Sequence, residues 1–233
     1  MRVGIMQPYI FPYLGYFDLI NKSDQWIVFD TPQYIRHGWI NRNRILHPTS
    51  GWQYFIVPVK KHRRETPINE IEIANSENWQ EKIFGQLNHY RKKARFFSNT
   101  VEFIKSCFDN NSGNLAEFNT NIIKKICELL KIDTEIKIFS KMNISINSVE
   151  VAGDWALRIC ETLGAESYIN PPGGENIFDK SAFVKSNIKL IIQDFKNINY
   201  PVRGYEFIEG LSIIDVLMWN HLSDIKYYLD NQL

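Results

Sequence analysis

The chain has 233 residues, 27 Lys+Arg against 26 Asp+Glu for a formal charge of +1, with 44% hydrophobic and 14% aromatic residues. That is ample apolar material for a packed core, and it excludes a disordered tail protein, which would be poor in aromatics. The near balance of charge argues against a dedicated nucleic-acid binder, so no nucleic-acid partner is expected. The charge is unevenly spread: residues 1–95 hold 14 basic and 8 acidic side chains, leaving 13 and 18 for the rest. An anionic ligand should therefore look to the first half.

Val3–Met6 is a short apolar run that stops at Gln7-Pro8, and reads as a strand ending in a loop. Phe17–Asn21 has helical character. Gln25–Asp30 and Tyr54–Val59 are further runs of β-branched and aromatic residues, of the kind covered on both faces in a parallel sheet. Ile71–Ile73 alternates around Glu72 like an edge strand. From Ser76, a candidate N-cap followed by Glu77, the period becomes helical through Trp79, Ile83, Phe84, Leu87 and Tyr90. Val101–Phe108 and Leu115–Leu130 continue as helices. Strand–helix alternation then resumes: strand Ile136–Phe139, helix Asp154–Leu163 with Gly164 at its C′ position, strand Ser167–Ile169, a helix near Ser181–Ser186, strand Lys189–Ile192 and helix Ser212–Trp219. The expectation is one α/β domain over 1–233, a Rossmann-like and mostly parallel sheet with a helical insertion at about 76–131.

Cys107, Cys127 and Cys160 are odd in number, far apart and set in apolar stretches, so buried free thiols are expected and no metal site. The N-terminus lacks the apolar core of a signal peptide, and no apolar run approaches the ~18 residues of a membrane span. A cytoplasmic location without a membrane span is the expectation.

In open α/β sheets, ligands bind beyond the carboxyl ends of the strands. The loop QPYIFPYLGYF after the first strand holds five aromatics in the nine residues Tyr9–Phe17. Gln7, Tyr9, Tyr13 and Tyr16 are candidate substrate contacts there, the tyrosines offering stacking faces with hydroxyl tips, and Gly15 permits close approach. The second loop, DTPQYIRHGWINRNRI, brings Arg36, Arg42 and Arg44 around Trp39, with Gln33, Asn41 and Asn43 nearby. Arginine forks bind phosphate or carboxylate bidentately, and the amides suit hydroxyl-rich ligands. Lys60 and Asn170 end further strands, and Gly173-Gly174 offers a backbone N–H nest for an anion. His37, as a candidate general base, and Asp30 at the end of the second strand are the catalytic candidates. Asp215 lies at the edge of the apolar stripe of its helix. A buried carboxylate there needs a partner, so an arginine or backbone N–H groups are expected to hold it, bracing the helix against the N-terminal loops.

These segments resemble the WbqC-like protein family over essentially the whole chain. The resemblance rests on IMQPYIFPYLGYFDLI at Ile5–Ile20, FDTPQYIRHGWINRNRI at Phe29–Ile45, the VPV-basic segment at Val57–Lys61, HYRKKARFF at His89–Phe97, LGAESYINPPGGENIFD at Leu163–Asp179 and LSIIDVLMWN at Leu211–Asn220. It implies an acyl or aminoacyl (glycine) transferase that modifies an amino sugar, nucleotide-linked, in bacterial O-antigen or other surface-polysaccharide synthesis. The donor would be a nucleotide or an activated amino acid. The first strand and its loop are also similar to the HIGH-type nucleotidyltransferase arrangement, which leaves an adenylate-forming or nucleotidyl-transferring enzyme as an alternative. A non-catalytic sugar-nucleotide binding protein is another, and an oligomer is compatible with all three.

Overall fold

Five short runs become one parallel sheet in the computed structural model, which describes residues 1–75, 78–109 and 112–231. With elements numbered in chain order, they are β1 (Arg2–Met6), β2 (Gln25–Val28), β5 (Glu135–Ile138), β6 (Ser167–Asn170) and β7 (Lys189–Ile192), arranged β5-β2-β1-β6-β7. Every pairing is parallel, with Val3 opposite Gln25 and Gly4 opposite Ile169. Period-two alternation gives the sheet two apolar faces. Val3, Ile5, Ile27 and Tyr168 pack under α5 (Asp154–Leu163) and α6 (Lys180–Lys185). Trp26, Val28 and Ile169 join the larger core formed with α1 (Leu14–Asn21) and α4 (Leu115–Leu129). This is a Rossmann-like α/β fold. Strand order reverses between β1 and β6, so the loops leaving those two strands flank the switch point where such sheets bind ligands.

Between β2 and β5 the chain inserts the antiparallel hairpin β3 (Arg42–Leu46) and β4 (Trp52–Ile56), then α2 (Trp79–Leu87), α3 (Phe97–Phe108) and α4. The run Tyr54–Val59 is thus not a strand of the main sheet. Only its core-facing side is covered: Phe55 is buried while its neighbours Tyr54 and Ile56 are less so, and Ile56 is exposed. A continuous apolar run cannot show whether one face or both are covered, which is why the sequence favoured the wrong sheet. Ile71–Ile73 makes only isolated bridges, Val59 with Ile73 and Glu72 with Asn114. The expected cap at Ser76, with Glu77, lies outside the described residues. Helix α6 begins at Lys180, one residue before the expected start, and is capped by Asp179, whose carboxylate accepts from Ser181 N and Ala182 N. Helix α1 begins at Leu14, three residues earlier than its periodicity indicates, because Pro12 ends the loop before it. Two helices close the chain: α7 (Ile213–Trp219), capped by Ser212 as expected, and α8 (Leu222–Asp230), which the sequence did not reveal. Its cap is the Nδ1 of His221, which accepts from Ser223 N at 3.2 Å, in place of the usual Ser, Thr, Asp or Asn.

All three cysteines are buried free thiols, and burial pushes each thiol up to about 12. Gly15 fits where no other residue would. A Cβ there would lie 2.4 Å from the Tyr13 ring and 2.8 Å from the Phe195 ring. Gly15→Ala should therefore destabilise the protein by about 1–3 kcal/mol, the range for overpacking, measured by denaturant unfolding. An unchanged midpoint would show that the two rings yield freely.

Candidate functional site

The loop from Gln7 to Tyr13 is held by side chains from three other parts of the chain. Phe11 has φ +39 just before Pro12, a conformation that a bulky residue keeps only when its surroundings enforce it. Here they do. The Phe11 carbonyl accepts from Asn43 Nδ2 at 2.9 Å and from Ser212 Oγ at 2.7 Å, while Asn43 Nδ2 also reaches the Ile10 carbonyl at 3.0 Å. Asn119 on α4 donates to the carbonyls of Pro8 (2.8 Å) and Ile40 (2.7 Å), tying the aromatic loop to the arginine loop. Ile10 N donates to the Trp39 carbonyl at 3.1 Å, and Ile213 N to that of Pro12 at 2.9 Å. A buried backbone with all these donors supplied is rigid.

Where these loops meet, a cavity of about 240 Å³ is lined by Tyr9, Tyr13, Trp39, Asn43, Arg44 and Gly210. Its cation is Arg44. That guanidinium lies 5.2 Å from the Trp39 ring and 5.2 Å from the Trp52 ring, and Nη2 donates to the Gly210 carbonyl at 3.2 Å. Its Nε is buried without an acceptor, and Arg44 forms no ion pair among the described residues. A charged donor in that state favours an acidic oxygen from a ligand. Burial raises the phenol pKa of both Tyr9 and Tyr13, so at neutral pH each is an –OH that donates or accepts a hydrogen bond, not a phenolate base. The cavity can stack a ring, hydrogen-bond its hydroxyls and hold an anion.

Of the residues expected from sequence to contact substrate, the cavity brings together Tyr9, Tyr13, Trp39 and Arg44. Tyr16 is fully buried, with its hydroxyl donating to the Gln7 carbonyl at 2.9 Å and its ring 5.0 Å from Trp26. It is core. Gln7 stays half-buried beside it. Asp30 is buried too, and its carboxylate is taken by Ser140, from N at 3.0 Å and Oγ at 2.5 Å. His37 is exposed in a left-handed conformation (φ +64) and does not line the cavity. Arg36 is exposed; Gln33 donates to the Arg64 carbonyl, and Asn41 to that of Val57. Arg42 lies over the Tyr54 ring at 4.1 Å and donates to the carbonyls of His37 and Gly38. Lys60 is exposed in an ion pair with Glu72.

Asn170 is buried, its Oδ1 accepting from the Tyr168 hydroxyl at 2.8 Å and its Nδ2 donating to the Pro171 carbonyl at 2.7 Å. Gly173 and Gly174 do not form the expected nest. Neither has positive φ, and Pro172–Ile177 is a stretch of 3-10 helix. Gly174 is needed for another reason: a Cβ there would meet Asn170 Nδ2 at 2.5 Å. Two site elements escaped the sequence. Gly210 enters from nearly two hundred residues away, and Asn119 resembles any polar residue on an amphipathic helix.

Behind the cavity, α7 is anchored by Asp215. Its partners are two phenols, not the expected arginine or backbone N–H groups: Tyr90 donates to Oδ1 at 2.6 Å and Tyr200 to Oδ2 at 2.8 Å. The Tyr90 oxygen accepts from Leu46 N at 2.9 Å, which continues the chain of bonds to the end of β3. Contact with the N-terminal loop belongs to Ser212 and Ile213 instead. Burial raises the Asp215 pKa to about 6, against the lowering effect of its hydroxyl donors and Trp219. Among the described residues, no group of three or more His, Cys, Asp or Glu is placed to hold a metal ion, and no helix is long and apolar enough to cross a membrane.

The WbqC-like protein family matches the chain over residues 7–227. The chain is 26% identical over 219 residues to the uncharacterized protein Rv1507c of Mycobacterium tuberculosis, an alignment covering 93% of this chain and 92% of that one. No solved structure matches it.

Proposed function

Because the chain belongs to the WbqC-like protein family, we propose that it is a transferase that places an acyl or aminoacyl group, glycine foremost, on a nucleotide-linked amino sugar for surface-polysaccharide assembly. The observation that supports this reading is the aromatic cavity with a single unpaired cation, Arg44, in its wall. Its volume lies below the ~300–1,000 Å³ of typical ligand pockets, so it takes one sugar ring or one amino acid and leaves the remainder of the substrate at the rim. Tyr9, Tyr13 and Trp39 would wall the ring, Asn43 would shape the cavity through the backbone that it holds, and Arg44 would anchor a phosphate or carboxylate. Among the described residues no carboxylate or imidazole lines the cavity. On this reading the protein binds and orients an acyl donor already activated, leaving proximity as its main contribution to rate. Mass spectrometry of a nucleotide-linked amino sugar incubated with activated glycine and the protein should show a product heavier by one glycyl unit. Tight sugar-nucleotide binding without product would instead make the protein a carrier.

The strand order around β1 supports a second reading, in which the chain itself activates a small acid as an adenylate at the crevice between β1 and β6. Pyrophosphate release from ATP and glycine by the pure protein would favour it over transfer from a preformed donor.

A further inference from the structure

Between Asp30 and Glu65 the chain contains no acidic residue, yet Thr31–Arg64 carries five arginines and two lysines. The fold gathers this segment onto one face. Gln33 donates to the Arg64 carbonyl at 2.8 Å, joining the loop after β2 to the loop after β4. Gly38 N turns back to the Ile35 carbonyl at 3.2 Å, and Arg42 reaches the Gly38 carbonyl at 3.4 Å. On the hairpin Arg42 pairs with Ile56 and Arg44 with Tyr54, on the side opposite buried Asn43, Ile45 and Phe55. That outward side is apolar as well as cationic. Ile35 is 64% exposed, Ile56 48%, Trp52 40% and Trp39 38%, which places four of the nine large exposed apolar side chains among the described residues here. Lys60 is paired with Glu72; among the described residues the other six cations form no ion pair.

We propose that this face docks the protein onto an anionic lipid bilayer. Cations without carboxylate partners are complementary to lipid phosphates, and indole rings favour the headgroup region. The two exposed isoleucines decide between polyanions. A duplex phosphate backbone offers them little apolar surface, whereas the acyl boundary of a bilayer removes them from water. The face borders the cavity described above, because Arg44 and Trp39 belong to both, whereas Ile35, Arg63 and Arg64 lie outside the cavity wall and report on docking alone.

Cosedimentation of the full chain with vesicles tests it. Phosphatidylcholine vesicles carrying about one third phosphatidylglycerol should retain the protein and pure phosphatidylcholine should not, with retention weakening as salt rises. The double variant Arg63→Glu, Arg64→Glu and the single variant Ile35→Asp are exposed changes expected to leave the melting temperature intact. Partitioning should fall about fivefold for each cation removed, and also in Ile35→Asp, while Lys185→Glu on α6 has no effect. Failure to bind anionic vesicles, equal binding to both kinds, or indifference to these variants would overturn the proposal. So would binding of single-stranded RNA, read by fluorescence anisotropy, without vesicle binding.

Discussion

Replacing Asp215 with alanine is expected to lower the unfolding free energy by up to about 3 kcal/mol at pH 7, since each buried hydroxyl left without its partner costs about 1–3 kcal/mol. Two such groups are involved, Tyr90 and Tyr200. The loss is limited because the alanine also removes a buried charge. A pKa raised from 3.8 to about 6 means that the ionised form is disfavoured in the folded protein by roughly 3 kcal/mol. The direction of the pH dependence follows. A carboxyl with a raised folded-state pKa contributes stability that is complete below pH 3.8 and is lost as the pH climbs through about 6. Asp215→Asn keeps a neutral hydrogen-bonding group in place, so it should destabilise less than alanine and abolish this contribution. Denaturant titrations of wild type and Asp215→Asn from pH 4 to 7 measure it. The stability of wild type relative to the asparagine variant should fall across that interval; a constant difference would place the titration of Asp215 elsewhere. Function should decline in these variants only as far as α7 loosens its hold on the Phe11–Pro12 backbone through Ser212 and Ile213.

Asp215 also illustrates what the sequence could and could not convey. Its position on the stripe shows that a charged group is buried, because the periodicity of Leu211, Ile214, Leu217 and Met218 leaves little freedom. The partners were invisible, since Tyr90 and Tyr200 lie 125 and 15 residues away in sequence. The same division holds across the fold. The inner strands β1 and β2 were legible because each is a short apolar run bounded by polar residues or proline, the pattern of a strand covered on both faces, whereas the edge strand β5 alternates as EIKI. The hairpin was not, because Trp52, Tyr54 and Ile56 are apolar yet face outward, giving β4 the composition of a covered strand. In the site, the two loops were recognisable by aromatic and arginine content, and residue type alone could not say which members turn inward. On β3 the decision falls to strand parity. Asn43 faces the core, where its amide holds the Ile10 and Phe11 carbonyls, while Arg42 and Arg44 share the other side. Of those two, Arg42 is committed to Tyr54 and two carbonyls, which leaves Arg44 to the cavity.

Arg44→Ala should weaken binding of a nucleotide-linked amino sugar by about 1.5–3 kcal/mol, the range for hydrogen bonds to a charged group and roughly 10- to 150-fold in affinity. The expectation rests on an imbalance in the free protein. Among the described residues Arg44 has one carbonyl acceptor, Gly210, a buried Nε without any, and cation–π contacts to two indole rings at 5.2 Å each. A ligand oxygen reaching Nε would gain a charge-assisted bond to a group already ordered, so little side-chain entropy opposes it. Arg44→Lys separates charge from geometry. The ammonium keeps the positive charge but cannot present a fork, and it should recover only part of the lost affinity. Arg36→Ala is the comparison at equal charge, because Arg36 is exposed and absent from the cavity wall. Screening by solvent should hold its effect below about 1 kcal/mol. Titration calorimetry at fixed ionic strength, with melting temperatures measured alongside, distinguishes these outcomes. If Arg44→Ala binds as tightly as wild type while Arg36→Ala does not, the anion sits on the outer loop and the cavity beside Tyr9 and Tyr13 belongs to an uncharged part of the substrate.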